Sequence, residues 1–101
     1  MLTIGSVVLL QGGEQKLMVI GRKPVLEKSV EERVYMDYVG CIYPIGILED
    51  EVYYFNEEDI QEIVFEGYLG EEESDVRHFI EEWEQATPIR KGRINSELLI
   101  E

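Results

Sequence analysis

The chain has one cysteine, Cys41, and one histidine, His78, and each scarcity removes a class of chemistry. A single thiol cannot close an internal disulfide, which fits a reducing cytoplasm. A single imidazole excludes metal sites built on two or more histidines. His78 is also the only imidazole available to activate Cys41 or a serine, and none of the four serines stands in a Gly-x-Ser-x-Gly elbow. Basic residues are few as well. Nine Lys and Arg face 22 Asp and Glu, for a formal net charge of −13. Nucleic-acid binders and binders of anionic membranes need clustered Lys and Arg, so neither is expected. No apolar run approaches the roughly 18 residues that span a bilayer. Residues 1–10 lack a positive n-region and are interrupted by Gly5 and Ser6, so no secretory signal is expected.

What is present suits one globular domain. The 101 residues are 45% hydrophobic and 10% aromatic, enough for a modest core. The charge is unevenly spread. Residues 49–84 hold 15 carboxylates against one base, Arg77, while the remaining residues hold 7 acids and 8 bases. A basic cluster, Arg90, Lys91 and Arg93, follows the acidic half. Such a field acts as a solvated face, as a steering surface for a basic partner, or as a seat for the chain's own basic tail.

Apolar runs at residues 6–10 and 16–20 flank Gln11-Gly12-Gly13-Glu14, and a Gly-Gly pair supplies the positive φ angles of a tight hairpin. Residues 22–31 contain Pro24 and mixed charge without periodicity, which predicts a mobile loop. Residues 33–39 alternate as one strand, with Val34, Met36 and Tyr38 on one side. Residues 40–46, with Cys41, Pro44 and two glycines, predict an irregular connection. Residues 52–55 and 62–66 read as strands, separated by a brief helical start at Asn56-Glu57-Glu58-Asp59. Residues 74–85 have helical spacing, with Val76, Phe79, Ile80 and Trp83 on one stripe, and Thr87-Pro88 ends the helix. Asn95-Ser96 is a candidate cap for a last turn carrying Leu98, Leu99 and Ile100. The expected fold is α+β and mainly β. It is a strongly bent antiparallel sheet, or small SH3-like barrel, of about five strands with the C-terminal amphipathic helix packed on it. Residues 1–86 form the domain and residues 87–101 a tail.

Chemistry-bearing motifs are weak. Glu71-Glu72-Glu73-Ser74-Asp75 offers carboxylates but lacks the pattern of an EF-hand loop. Gly12-Gly13 is followed by no Gly-Lys-Ser/Thr, so it is no phosphate loop. No catalytic residue, cofactor or metal is expected. Binding is better supported: Tyr35, Tyr38, Tyr43, Tyr53, Tyr54 and Tyr68 cluster in the central third of the chain. Adjacent Tyr53 and Tyr54 on a strand must place one ring outward. Core rings with hydroxyls at the surface are the competing reading.

Several blocks resemble one family. They are Ile4-Gly5-Ser6-Val7-Val8-Leu9-Leu10-Gln11-Gly12-Gly13, Lys16-Leu17-Met18-Val19-Ile20-Gly21-Arg22, Asp37-Tyr38-Val39-Gly40-Cys41-Ile42-Tyr43-Pro44-Ile45-Gly46, Tyr54-Phe55-Asn56 with Asp59-Ile60, and Ile63-Val64-Phe65-Glu66-Gly67-Tyr68. The family is a small cytoplasmic domain of Gram-positive bacteria, of unknown function, encoded beside type VII secretion genes and their LXG-domain toxins. The resemblance covers residues 4–68 and transfers no catalytic residue. It implies a cytoplasmic accessory of toxin export. The expected function is therefore a non-enzymatic chaperone or targeting factor whose partner is a secreted toxin or its accessory proteins. Its expected anchors are Tyr38, Tyr43, Tyr53 and Tyr54, with Glu71, Glu72 and Glu73 steering the encounter. The alternative is an acidic immunity protein or nucleic-acid mimic that blocks a basic toxin domain.

Overall fold

The first hairpin forms where the glycines demand it. In the computed structural model, which describes residues 1–94, β1 (Val7–Leu10) pairs antiparallel with β2 (Leu17–Arg22), Val7 opposite Met18. Gly12 turns the chain at φ +79°, a left-handed conformation that costs glycine little. The Gly13 N–H closes the turn on the Leu10 carbonyl at 3.1 Å. Further strands are β3 (Val25–Glu27), β4 (Arg33–Tyr35), β5 (Tyr38–Ile42), β6 (Tyr53–Phe55), β7 (Ile60–Phe65) and β8 (Arg90–Lys91). The α-helix α1 spans Glu73–Ala86. The fold is thus α+β and mainly β, as expected.

Among the described residues, eight strands make two sheets and no closed barrel. A five-stranded sheet has the order β6-β5-β2-β1-β7, with every neighbouring pair antiparallel. A three-stranded sheet has the order β3-β4-β8, antiparallel between β3 and β4 and parallel between β4 and β8. The strand expected over residues 33–39 is divided between them. Val34, Tyr35, Met36, Asp37 and Tyr38 are all buried, a run that one-sided alternation does not produce. The chain changes sheets at Met36 and Asp37, where both faces are covered. Residues 22–31 are not a mobile loop throughout, because β3 lies within them. Its side chains are exposed or half-buried, so no apolar period marks it. Gly40, Cys41 and Ile42, expected in an irregular connection, belong to β5. A Cβ on Gly40 would lie 2.8 Å from the Met18 carbonyl oxygen, so the β2–β5 contact requires glycine there.

The main core gathers Leu2, Val8, Leu17, Val19, Tyr38 and Phe55, with Leu10, Ile42, Ile60 and Ile94 packed against it. The rings of Tyr38 and Phe55 lie 5.5 Å apart. Helix α1 begins one residue before and ends one residue after its expected span. Thr87, its C-cap, is extended (ψ 139°), as suits the residue before a proline. None of the helix residues is buried, and the expected apolar stripe is only half used. Ile80 and Trp83 are half-buried, and Trp83 meets Tyr35 edge-on at 5.3 Å, whereas Val76 and Phe79 are exposed.

Residues 87–94, expected as a tail, are tied to the rest of the chain. β8 runs beside β4, and the Gly92 N–H donates to the Tyr35 carbonyl at 2.8 Å. The expected terminal helical turn around Leu98, Leu99 and Ile100 lies outside the described residues.

Candidate functional site

A polar cluster fixes the geometry at the junction of the two sheets. The side chain of Asp37 is 5% exposed and lies between two lysines. Lys23 Nζ is 2.7 Å from Oδ1 and Lys91 Nζ is 3.1 Å from Oδ2, while the Glu57 N–H donates to Oδ2 at 2.8 Å. Burial pushes the Asp37 carboxyl up, but the Glu57 N–H and Lys23 outweigh it and hold the group below its usual range. Asn56 joins the cluster, accepting the Asp37 N–H on Oδ1 and donating from Nδ2 to the Gly92 carbonyl. Glu84 of α1 accepts from the Tyr35 hydroxyl at 2.9 Å and lies 3.4 Å from Lys23. Burial, then Glu84, pushes the Tyr35 hydroxyl up to about 12. Every charge here has a partner, so the cluster is a structural clasp. It also answers where the basic tail goes: Lys91 reaches Asp37 and Glu58, and Arg90 reaches Glu32.

The expected anchors are dispersed. Tyr38 is fully buried, so it is a core residue and presents no ring to a partner. Its hydroxyl accepts the Leu2 N–H at 2.8 Å and donates to the Glu57 carboxylate. Tyr43 and Tyr53 are exposed and Tyr54 is half-buried, beside exposed Ile45, Ile47 and Leu48 in the loop between β5 and β6. Glu71 and Glu72 are exposed. Glu73 is instead held inward by Arg22 at 2.5 Å and Arg77 at 2.7 Å, and its side chain is 11% exposed. Arg22, then Arg77, keeps its carboxyl below the usual range in spite of the opposing effect of burial. Glu73 therefore ties α1 to its own chain. Arg77 adds a bond to the Met1 carbonyl at 2.7 Å. Replacing Glu73 with glutamine is expected to weaken this attachment by about 1–3 kcal/mol. Amide hydrogen exchange should speed up across Glu73–Ala86 and much less in β1, β2 and β5.

The structure adds residues that were not among the expected anchors. β7 is an edge strand whose Ile63, Val64 and Phe65 are exposed, and the chain continues into exposed Tyr68 and Leu69. Leu69 borders an open groove of about 480 Å³ shared with Glu71, Ser74, Arg77, His78 and Glu81. Glu62-Ile63-Val64-Phe65-Glu66 reads as a strand from its residue types, but its place at the edge is a property of strand order. Cys41 is buried in β5 and His78 is exposed on α1, 3.1 Å from Glu82, so the two are not brought together. Among the described residues, no three His, Cys, Asp or Glu converge as a metal site, and no helix is long and apolar enough to cross a membrane.

Residues 1–76 match the family model described as a domain of unknown function (DUF4176), and the chain belongs to that family. The match runs past residue 68 into the first turn of α1. No curated protein and no solved structure matches the chain.

Proposed function

We propose that this protein is a non-enzymatic, cytoplasmic binding factor, a chaperone or targeting accessory for a type VII-secreted toxin. One observation carries the binding role: apolar side chains are left bare at both edges of the five-stranded sheet. Tyr43, Ile45, Ile47, Leu48 and Tyr53 lie on the β6 side, and Ile63, Val64, Phe65, Tyr68 and Leu69 on the β7 side. Exposed apolar side chains gathered at a sheet edge support a place where another protein sits. The secretion setting is taken from the sequence resemblance to domains encoded beside type VII and LXG-toxin genes. Tyr43, Tyr53 and Tyr54 remain the proposed aromatic anchors on the β6 side, while Tyr38 drops out as a core residue. An acidic inhibitor of a basic toxin domain is the second reading, favoured by exposed Glu62, Glu66, Glu71, Glu72, Asp75 and Glu81.

Affinity capture of the tagged chain from its native cytoplasm, at about 0.1 M and then about 0.5 M salt, tests both readings. Recovery of the same exported toxin at both salts is the expected result, because apolar contacts survive screening. A basic toxin domain recovered at the lower salt alone supports the inhibitor reading. Recovery of neither overturns the accessory role. Y43A and Y54A together are expected to reduce recovery at least tenfold, and unchanged recovery removes the β6 side from the interface.

A further inference from the structure

The outer edge of β4 is covered by very little chain. β8 supplies two residues, Arg90 opposite Val34 and Lys91 opposite Tyr35, and both are exposed. Strands are usually about five to six residues long, so this is a short occupant for an edge. It also runs parallel to β4, whereas the other strand pairs among the described residues are antiparallel. Parallel pairing is slightly the weaker per residue.

The edge itself is well furnished to receive a strand. The Tyr35 carbonyl accepts the Gly92 N–H at 2.8 Å, and Asn56 Nδ2 donates to the Gly92 carbonyl at 2.9 Å. Buried Asp37 receives Lys91 at 3.1 Å, beside exposed Glu58 at 3.2 Å, and exposed Glu32 receives Arg90 at 2.9 Å. Gly92 is buried, and Ile94 packs against the main core. Backbone bonds thus hold the segment, and side-chain sites select it. They select two basic residues, then a small residue, then an apolar residue two places on.

Acceptor and occupant also differ in what they share with the family. Glu32, β4, Asp37, Asn56 and Glu58 lie within the matched residues 1–76, and residues 90–92 lie beyond them. The ion pairs with Glu32 and Glu58 are exposed and contribute little. Tethering to α1 adds more, since a short tether presents a segment at an effective concentration on the order of millimolar. A free segment with the same contacts competes once the tethered one is weakened, or displaces it by pairing over a longer stretch.

We propose that the outer edge of β4, with Asp37 and Asn56 at its end, is a strand-acceptor site that the chain's own residues 90–92 occupy in place of an extended basic segment of a partner. β8 is an autoinhibitory stand-in. The partner's segment enters parallel to β4, sets a Lys on Asp37 and Glu58, and releases residues 90–92. The site is separate from the bare edges of the five-stranded sheet and does not depend on what they hold.

The probe is a fluorescent peptide with the sequence of residues 88–94, added to the full chain, and a scrambled peptide of the same composition is the control. Anisotropy gives the affinities, and amide chemical shifts give the contact site. R90A/K91A loosens the tethered segment at two exposed side chains and is expected to bind the peptide at least tenfold more tightly than the parent does. The shifts should fall at residues 33–37 and 56–58. Adding E32Q/E58Q to that variant should lower the affinity at least threefold with an unchanged circular dichroism spectrum, because both carboxylates are in water. No gain in affinity over the parent, equal binding of the scrambled peptide, or shifts that map elsewhere overturns the proposal. Unfolding of R90A/K91A overturns it too, since a segment that holds the fold together cannot be exchanged. So does a parent dimer that R90A/K91A dissolves, which would seat the β8 of a second copy on the edge. None of these results alters the accessory role, which is decided by recovery of the toxin.

Discussion

Replacing Asp37 with alanine is expected to destabilise the fold by about 3 kcal/mol or more, within the 3–5 kcal/mol typical of a broken buried ion pair. The substitution leaves the Glu57 N–H without its acceptor and removes the shared counter-charge of Lys23 and Lys91. Glu84 and Glu58 each remain near one of those lysines, at 3.4 Å and 3.2 Å, which places the loss at the lower end of the range. Total stabilities of about 5–15 kcal/mol make this a large fraction of what holds the domain together. Urea unfolding of the variant beside the parent measures it. Asp37→Asn keeps the shape without the charge and should fall between the two. The acid limb carries the same signature. The Asp37 carboxyl is held below its ordinary 3.8, so its contribution is complete above that pH and is lost as pH falls through the lower, folded value. The parent's melting temperature should therefore fall more steeply below about pH 4 than that of Asp37→Asn. Parallel acid limbs would show that Asp37 has no special place in the clasp.

Tyr38→Ala is expected to cost about 3–5 kcal/mol, the usual loss when a buried aromatic ring is cut back to a methyl group. The ring is fully buried against Phe55 and touches the segment around Leu2 through its hydroxyl. Tyr38→Phe isolates the hydroxyl. It leaves the Leu2 N–H unpaired in a buried setting and should cost about 1–2 kcal/mol. Both values come from denaturant midpoints at unchanged slope. If Tyr38 were a surface anchor, the alanine variant would lose its partner and keep its stability. The buried position reverses that expectation, and the protein that still folds should bind as the parent does.

Local signals made part of this fold legible. Gly12-Gly13 marked the first turn, Ser74 to Gln85 carried a helical period, and Thr87-Pro88 stopped the helix within a residue or two of where it ends. The second sheet was not legible, for a physical reason. β3 is three residues with no buried face, and β8 is the exposed pair Arg90 and Lys91, so neither carries an apolar alternation. Both exist because β4 lies between them. The run from Val34 to Tyr38 misled in the opposite way: it alternates in sequence, yet every member is buried because two sheets meet over it. For the candidate site, Tyr43, Tyr53, Glu71 and Glu72 were found at the surface. Tyr38 and Glu73 were not, since residue type does not say which tyrosine lies under a second layer or which carboxylate has Arg22 above it. The exposed edge at β7 depended on strand order, which no local pattern encodes.

The parallel pairing of β8 with β4 sets the order of events at the ribosome. β4 is made early, but its second neighbour, Arg90–Lys91, is made only after α1. Until that segment leaves the exit tunnel, Lys91 cannot reach Asp37 and Gly92 cannot close on Tyr35. A nascent chain interrupted before residue 90 would carry the five strands of the first sheet with an open flank at Val34–Tyr35. Long-range pairings of this kind form slowly and leave apolar surface bare in the meantime. The least protected stage of synthesis therefore lies between β4 and β8, and chains stalled before residue 90 should be the ones most readily lost to proteolysis.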